Sequence, residues 1–308
     1  MKFAVIGAGG VGGFLGARLA LAGHDVSFVA RGRALDALRA DGLRLIEDEE
    51  LTVPVTADDD PATIGPVDYV LSCVKATQIT EALSGAGPLI GPDTAVVTTQ
   101  NGVDGPRLTA DIVGERRTLP GVVRVFAMIE RPGVIARHGG PGTLEVGEWD
   151  NADSRRVRAL RGALEEAGAG SPVPADIWTA LWTKAMFVIP VGELGAITGL
   201  TLGRMLSRPR LERLLAGTIT EIASVAAARG IALPTDIVKT TMDFARAQPP
   251  SSTASLHRDL AAGRPSELET QTGAIVRCGD EAGVPVPLHE LMYEVLRLGR
   301  GREHQEQA

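Results

Sequence analysis

The sequence predicts an α/β N-terminal domain followed by a second, all-helical C-terminal domain. Three observations carry this prediction. The apolar run Phe3–Ile6 passes through a glycine-rich turn into a helical pattern. Strand-like runs then alternate with helical segments. From about Asp176 to Leu298 only helical periodicity remains. The change of regime divides the chain into residues 1–170 and 171–308.

The opening stretch is the most informative. Phe3–Ile6 is uninterrupted and apolar, as a parallel strand buried on both faces should be. Gly7, Gly9 and Gly12 follow at G-x-G-x-x-G spacing, with Gly10 and Val11 between them, and Leu15, Leu19 and Ala22 continue as a helix. The first glycine of such a loop allows a tight turn, the second lets a pyrophosphate approach the backbone, and the third packs helix on strand. Gly23 stops the helix and Val26–Ala30 supplies the next strand, which is the context that makes this a Rossmann-type dinucleotide-binding unit. The strand ends in Val29-Ala-Arg-Gly-Arg33, without the carboxylate that bonds the ribose of NAD. A guanidinium suits a 2′-phosphate, so Arg31 points to NADP(H).

Further along, Leu35–Leu38 sit in a helical pattern, and Leu43–Ile46 and Leu51–Val55 read as short edge strands, with Pro54 tolerated only at an edge. Val67–Val74 is a core strand ending at Lys75, and Ala95–Thr99 another, ending at Gln100-Asn-Gly-Val103. Ligands bind beyond the carboxyl ends of such strands, which puts Lys75 and Asn101 at the functional edge. Val122–Ile129, Gly133–Arg137 and Thr143–Val146 read as antiparallel strands extending the sheet, and Arg155–Ala167 as a helix.

Composition narrows the function. A net charge of −7 gives no global basic field for nucleic acid or an anionic membrane. Two cysteines, Cys73 and Cys278, are too few for a disulfide framework and indicate a reducing cytoplasm. The N-terminus runs straight into a strand, unlike a signal peptide, and no apolar run approaches the ~20 residues of a membrane span. No His, Cys and carboxylate set has metal-ligand spacing. Leu211–Val225 and Leu291–Leu298 could bury a homodimer face or the domain's own core, and the tail Gly299–Ala308 reads as loosely held.

In the second domain, Asp176–Ile189 is an apolar helix with one cation, Lys184, in the stripe Ile177, Leu181, Lys184, Val188. Such a lysine either snorkels or finds a partner. Downstream, Glu267 follows Pro265 at the start of a helical pattern, either as a dipole-matched first-turn residue or as a counter-charge for Lys184. The glycine loop, Val74-Lys-Ala, Gln100-Asn-Gly-Val, Leu181-Trp-Thr-Lys and Ser255…Gly263-Arg-Pro-Ser-Glu267, in this order, resemble the ketopantoate reductases (2-dehydropantoate 2-reductases) over nearly the whole chain. The resemblance implies reduction of a small 2-oxo acid by NADPH, on the pathway to pantothenate and coenzyme A. It also implies that Lys184 bonds the ketone oxygen and donates a proton, and that Glu267 orients this lysine or binds a substrate hydroxyl. Asn101 and Lys75 would lie beside the nicotinamide, and Ser255 would bind the substrate carboxylate. By residue chemistry alone Asn101 could be a turn asparagine and Ser255 a helix cap. The family usually has asparagines four and eight residues after the lysine. Here these substrate-facing positions are Val188 and Gly192, with Pro190 between. That departure leaves room for a paralogue reducing a less polar ketone, or for a non-catalytic NADP(H)-binding regulator.

Overall fold

The computed structural model describes residues 1–305, and packing divides the chain into two units. The first comprises Met1–Gln100 and Gly105–Ile177, the second Asn101–Asp104 and the residues from Trp178 onward.

The first unit contains ten strands: β1 Lys2–Ile6, β2 Asp25–Val29, β3 Leu43–Ile46, β4 Glu50–Val53, β5 Thr56–Asp58, β6 Val67–Ser72, β7 Ile90–Thr98, β8 Thr118–Leu119, β9 Gly121–Arg131 and β10 Val134–Val146. Its helices are α1 Gly10–Leu21, α2 Gly32–Asp41, α3 Pro61–Ile64, α4 Ile79–Ser84, α5 Gly105–Val113 and α6 Arg155–Glu166. Six strands form a parallel sheet in the order β5-β2-β1-β6-β7-β8. The short apolar runs of β1, β6 and β7 are buried on both faces, which explains their unbroken hydrophobicity.

The segments between residues 121 and 146 do not extend this sheet. They form a second, four-stranded sheet in the order β4-β3-β10-β9, in which β3 is interior and only β4 and β9 are edges. The expectation of an edge strand thus holds for β4 but not for β3. The edges of the parallel sheet are instead β5 and β8. Helix α1 lies between the two sheets. A Cβ at Gly16 would sit 2.3 Å from Phe28 of the first sheet, and one at Gly13 would sit 2.4 Å from Ile135 of the second. Phe14, Leu15 and Leu19 are fully buried in the shared core. A helix covered on both sides needs no polar face, and small residues where the sheets approach are what allow the sandwich.

The second unit is helical: α7 Ile177–Thr198, α8 Leu202–Leu206, α9 Pro209–Ala228, α10 Ile237–Ala247, α11 Ser255–Ala261, α12 Thr272–Ala282 and α13 Pro287–Gln305. Ile177 itself packs with the first unit. The tail continues α13 to Gln305, and 306–308 lie outside the described residues. The core is built on Met186 and Ile189 of α7, Ile219 and Ile222 of α9, and Ile275 of α12, each at most 1% exposed. Each such burial contributes about 1.5–3 kcal/mol. The expectation that no apolar run reaches spanning length needs correction. Helix α7, at 22 residues, is long and apolar enough to cross a membrane by length and composition, although 61% of its most apolar stretch is buried inside the protein. Its apolarity is that of a helix covered by neighbours on most sides.

Candidate active site

In the first unit the glycine loop separates two tasks. Gly7 adopts φ +101°, a conformation that favours glycine, and a Cβ there would touch the backbone of Cys73 and Val74 at 3.0 Å. Gly12 lies so close to the turn that a Cβ would fall 2.1 Å from the Gly7 carbonyl, and at Gly10 one would fall 2.2 Å from the Ala127 carbonyl of β9. Gly10 therefore turns its Cα to the second sheet and has only its backbone to offer a ligand. Val11 packs on the unit's core. Gly9 is different. It precedes α1 in extended conformation, and nothing lies within 4 Å of where its Cβ would be. No side chain caps α1 and no acidic residue occupies its first turn. The first amides of the helix lack intrahelical partners, so this end accepts an anion without displacing any side-chain cap. These residues fit the diphosphate of a dinucleotide.

Arg31 precedes α2, at the end of β2, with its side chain 72% exposed and its guanidinium 2.7 Å from Glu81 of α4. A pair this exposed is weak, and a phosphate would compete with Glu81 on favourable terms. Lys75 stands half-buried after β6, at the start of the 3₁₀ turn Ala76–Gln78. The adjacent Gln100, which sequence reasoning passed over, is 7% exposed and joins the ends of β6 and β7. Its amide donates to the Ser72 carbonyl at 2.8 Å and the Val74 carbonyl at 3.0 Å, while its own oxygen accepts the Thr99 N–H.

In the second unit the loop Asn101–Asp104 meets the helices. Gly102 is at φ +90°, with its Cα against the Thr270 carbonyl, and Val103 enters the helical core. Asp104 is held by Arg277 at 2.7 Å. This puts the Asn101 amide 3.5 Å from the Ser255 hydroxyl. Ser255 opens α11 but does not cap it, because Ala254 occupies the cap position and no side-chain cap bond forms there. Glu267 is 8% exposed. It does not sit in the first turn of a helix, since α12 starts only at Thr272. It lies in the preceding turn, where its carbonyl accepts the Gln271 N–H at 2.9 Å and its carboxylate accepts from the Gln271 side chain at 3.3 Å. Lys184 is half-buried on α7, as is Val188 one turn on. Gly192, expected on the substrate-facing surface, is buried. A Cβ there would lie 3.0 Å from Leu256 and 3.5 Å from Ala254, the residues flanking Ser255. Its smallness is therefore used to seat α11. Among the described residues no group of three or more His, Cys, Asp or Glu could hold a metal ion.

A glycine loop shaped for a diphosphate, followed by a helical unit carrying a half-buried lysine and a buried carboxylate, defines a dinucleotide-dependent oxidoreductase. Comparison with known proteins gives the family. The model for "Ketopantoate reductase PanE/ApbA" matches residues 3–151, and that for its C-terminal domain matches residues 176–300. The 2-dehydropantoate 2-reductase of Mesorhizobium japonicum is 32% identical, with 96% of this chain and 97% of the relative aligned. The crystal structure of a PanE/ApbA family ketopantoate reductase from Ralstonia eutropha superposes with a TM-score of 0.90 at 31% identity, covering 99% of this chain and 100% of that one. D-mandelate dehydrogenase, solved with NADH and anilino(oxo)acetate, shares the fold at TM-score 0.89 and 23% identity, covering 98% and 99% of the two chains. The chain belongs to the ketopantoate reductase family, oxidoreductases acting on CH–OH groups.

Proposed function

We propose that this protein reduces a 2-oxo acid to the 2-hydroxy acid with NADPH, and that the group its substrate carries beyond the ketone is less hydroxylated than that of 2-dehydropantoate. A bound NADPH supplies the hydride. The chain's own residues bind and orient the acceptor and handle the proton. The amino end of α1 holds the diphosphate and Arg31 the 2′-phosphate. Lys184 bonds the ketone oxygen and gives it a proton as negative charge develops there. Glu267 orients Lys184, while Ser255 and Asn101 bind the substrate carboxylate. The observation that carries the reading is the approach of Asn101 to a Ser255 freed from capping duty, in the unit that also holds Lys184 and Glu267.

The narrower substrate reading rests on α7. Val188 offers no hydrogen bond, and Gly192 is packed against Leu256. A polar group on the substrate therefore has no partner at these two positions, and unpaired buried polar groups are costly.

The test is NADPH oxidation with a panel of 2-oxo acids, run beside NADH and repeated with Arg31→Ala. Less polar 2-oxo acids should exceed 2-dehydropantoate in kcat/KM, and the substitution should weaken NADPH about 10- to 100-fold while leaving NADH within about twofold. Tight NADPH binding without turnover on any ketone would instead identify a regulator.

A further inference from the structure

The core of the helical unit contains a charged cluster that the proposed reaction does not use. Glu193, nine positions after Lys184 on α7, is 0% exposed, and neither of its oxygens has a hydrogen-bond partner. The three helices packed around it present His289 from α13, Glu221 from α9 and the Thr272 hydroxyl from α12. His289 is also 0% exposed, with Nε2 3.4 Å from Glu193 and Nδ1 2.7 Å from Glu221. Glu221 is further satisfied by the Leu288 and His289 N–H groups, at 2.9 and 3.1 Å, at the start of α13. His289 Nε2 and the Thr272 hydroxyl face Glu193 without making a hydrogen bond of good geometry to it, although both pull against the effect of its burial.

We propose that Glu193, His289 and Glu221 form a proton-operated clamp joining α7, α9 and α13, closed while Glu193 carries a proton and loosened when that proton leaves. With Glu221 ionised, His289 charged and Glu193 neutral, the cluster sums to zero. Ionising Glu193 leaves one net negative charge at a fully buried position, where no water repays its lost hydration. A buried pair with one surplus charge is destabilising even when the pair itself is well made.

The titration follows from the same contacts. Burial pushes the Glu193 carboxyl up to about 7, against the opposing pull of His289. Burial alone would lower the value of His289, but Glu193 and Glu221 reverse the direction and raise it. Both folded values lie above the unfolded ones, so the Glu193 contribution is complete only below about pH 4.5 and is lost progressively as pH rises to about 7, while that of His289 is lost above its own unfolded value. Glu221 is shifted downward, chiefly by His289 and the two N–H groups acting against burial, so its own contribution is lost only in acid. The clamp therefore weakens as pH rises from mildly acidic to neutral, and the helix that weakens with it is the one bearing Lys184. This inference stands whatever the substrate.

The experiment is thermal unfolding of the full chain without ligand from about pH 5.5 to about pH 8.5, for wild type and Glu193→Gln, whose amide mimics the protonated acid. Wild type should lose about 5 °C more than the variant across this range. Amide protection factors in α7 and α13, corrected for the intrinsic pH dependence of exchange, should fall with pH in wild type alone. Parallel melting curves, or a variant that is less stable at the alkaline end, would overturn the clamp. Should Glu193→Gln not fold, infrared titration of wild type against Glu193→Leu decides. A carboxylic-acid carbonyl band present at about pH 6, lost by about pH 9 and missing from the leucine variant supports the clamp, and no such band refutes it.

Discussion

Glycines in the two units perform opposite tasks. Around α1, Gly9 keeps a space open at the amino end of a helix, while Gly10 and Gly12 let the backbone close around it. On α7, Gly192 closes a space, admitting Leu256 and Ala254. The first arrangement offers a ligand only backbone and is indifferent to side chains. The second fixes side chains on the helix that carries the proposed proton donor Lys184, so it is sensitive to each neighbour. One unit can thus retain a generic cofactor site while the other changes what it reads.

The largest effect falls on the side-chain-dependent unit. Lys184→Ala should depress turnover roughly 100- to 10,000-fold, the range expected on losing a positioned proton donor. Dinucleotide affinity, measured by fluorescence titration, should stay within about twofold, because no part of the glycine loop is altered. Comparable losses in both would break the division of labour between the units.

A pair of alanines tests the backbone-dependent unit. At Gly10 the new methyl meets the Ala127 carbonyl, and backbone cannot step aside like a side chain. Gly10→Ala should cost upwards of about 3 kcal/mol in urea unfolding. Gly9 has ordinary backbone angles and empty space ahead of it, so Gly9→Ala should leave stability within about 0.5 kcal/mol. Its dinucleotide affinity should nevertheless fall about tenfold, because the methyl enters the volume of the diphosphate. If Gly9→Ala bound normally, the open space would not be the cofactor's.

These contrasts explain what the sequence revealed. The G-x-G-x-x-G loop and β1, β2, β6 and β7 were legible because burial on both faces and a phosphate-sized turn impose composition directly. The second sheet was misread as an extension of the first, since alternating strands do not declare their partners. Its signal lay elsewhere, in Gly13 and Gly16, small residues inside a helix with no local reason to be there. Glu267 was placed in a helix because Pro265-Ser-Glu mimics a helix start. Gln271, whose side chain reaches back to Glu267, belongs to a separate turn before α12. Gly192 was read by its spacing from Lys184, whereas its partner Leu256 is remote in sequence.

A smaller effect separates two neighbouring positions on α7. Gly192→Asn forces Leu256 and Ala254 aside and should cost about 1–3 kcal/mol. Val188→Asn, half-exposed, should stay within about 1 kcal/mol while raising kcat/KM for a hydroxylated 2-oxo acid by about tenfold. If asparagine at 188 left the substrate ranking unchanged, specificity would lie outside this face of α7.

The smallest effect concerns acid. In the first unit, burial alone would raise the Glu148 carboxyl, but Arg156 and Ser154 hold it below the ordinary glutamate range. Glu47 is likewise held down by Arg18 and Arg137 against its burial. A folded value below the unfolded one contributes stability above the unfolded value, and that stability is lost as pH falls through the folded value. These two glutamates thus weaken the first unit below about pH 4.5, whereas the clamp around Glu193 weakens the second as pH rises from there toward neutrality. Glu148→Gln should therefore remove about 1 kcal/mol at neutral pH and nothing in strong acid, where wild type has already lost the same interaction. Proteolysis pulses followed by mass spectrometry would locate the change. Acid cleavage should begin in β10 and α6, and a start in α7 or α13 would show that these ion pairs do not set the acid limit.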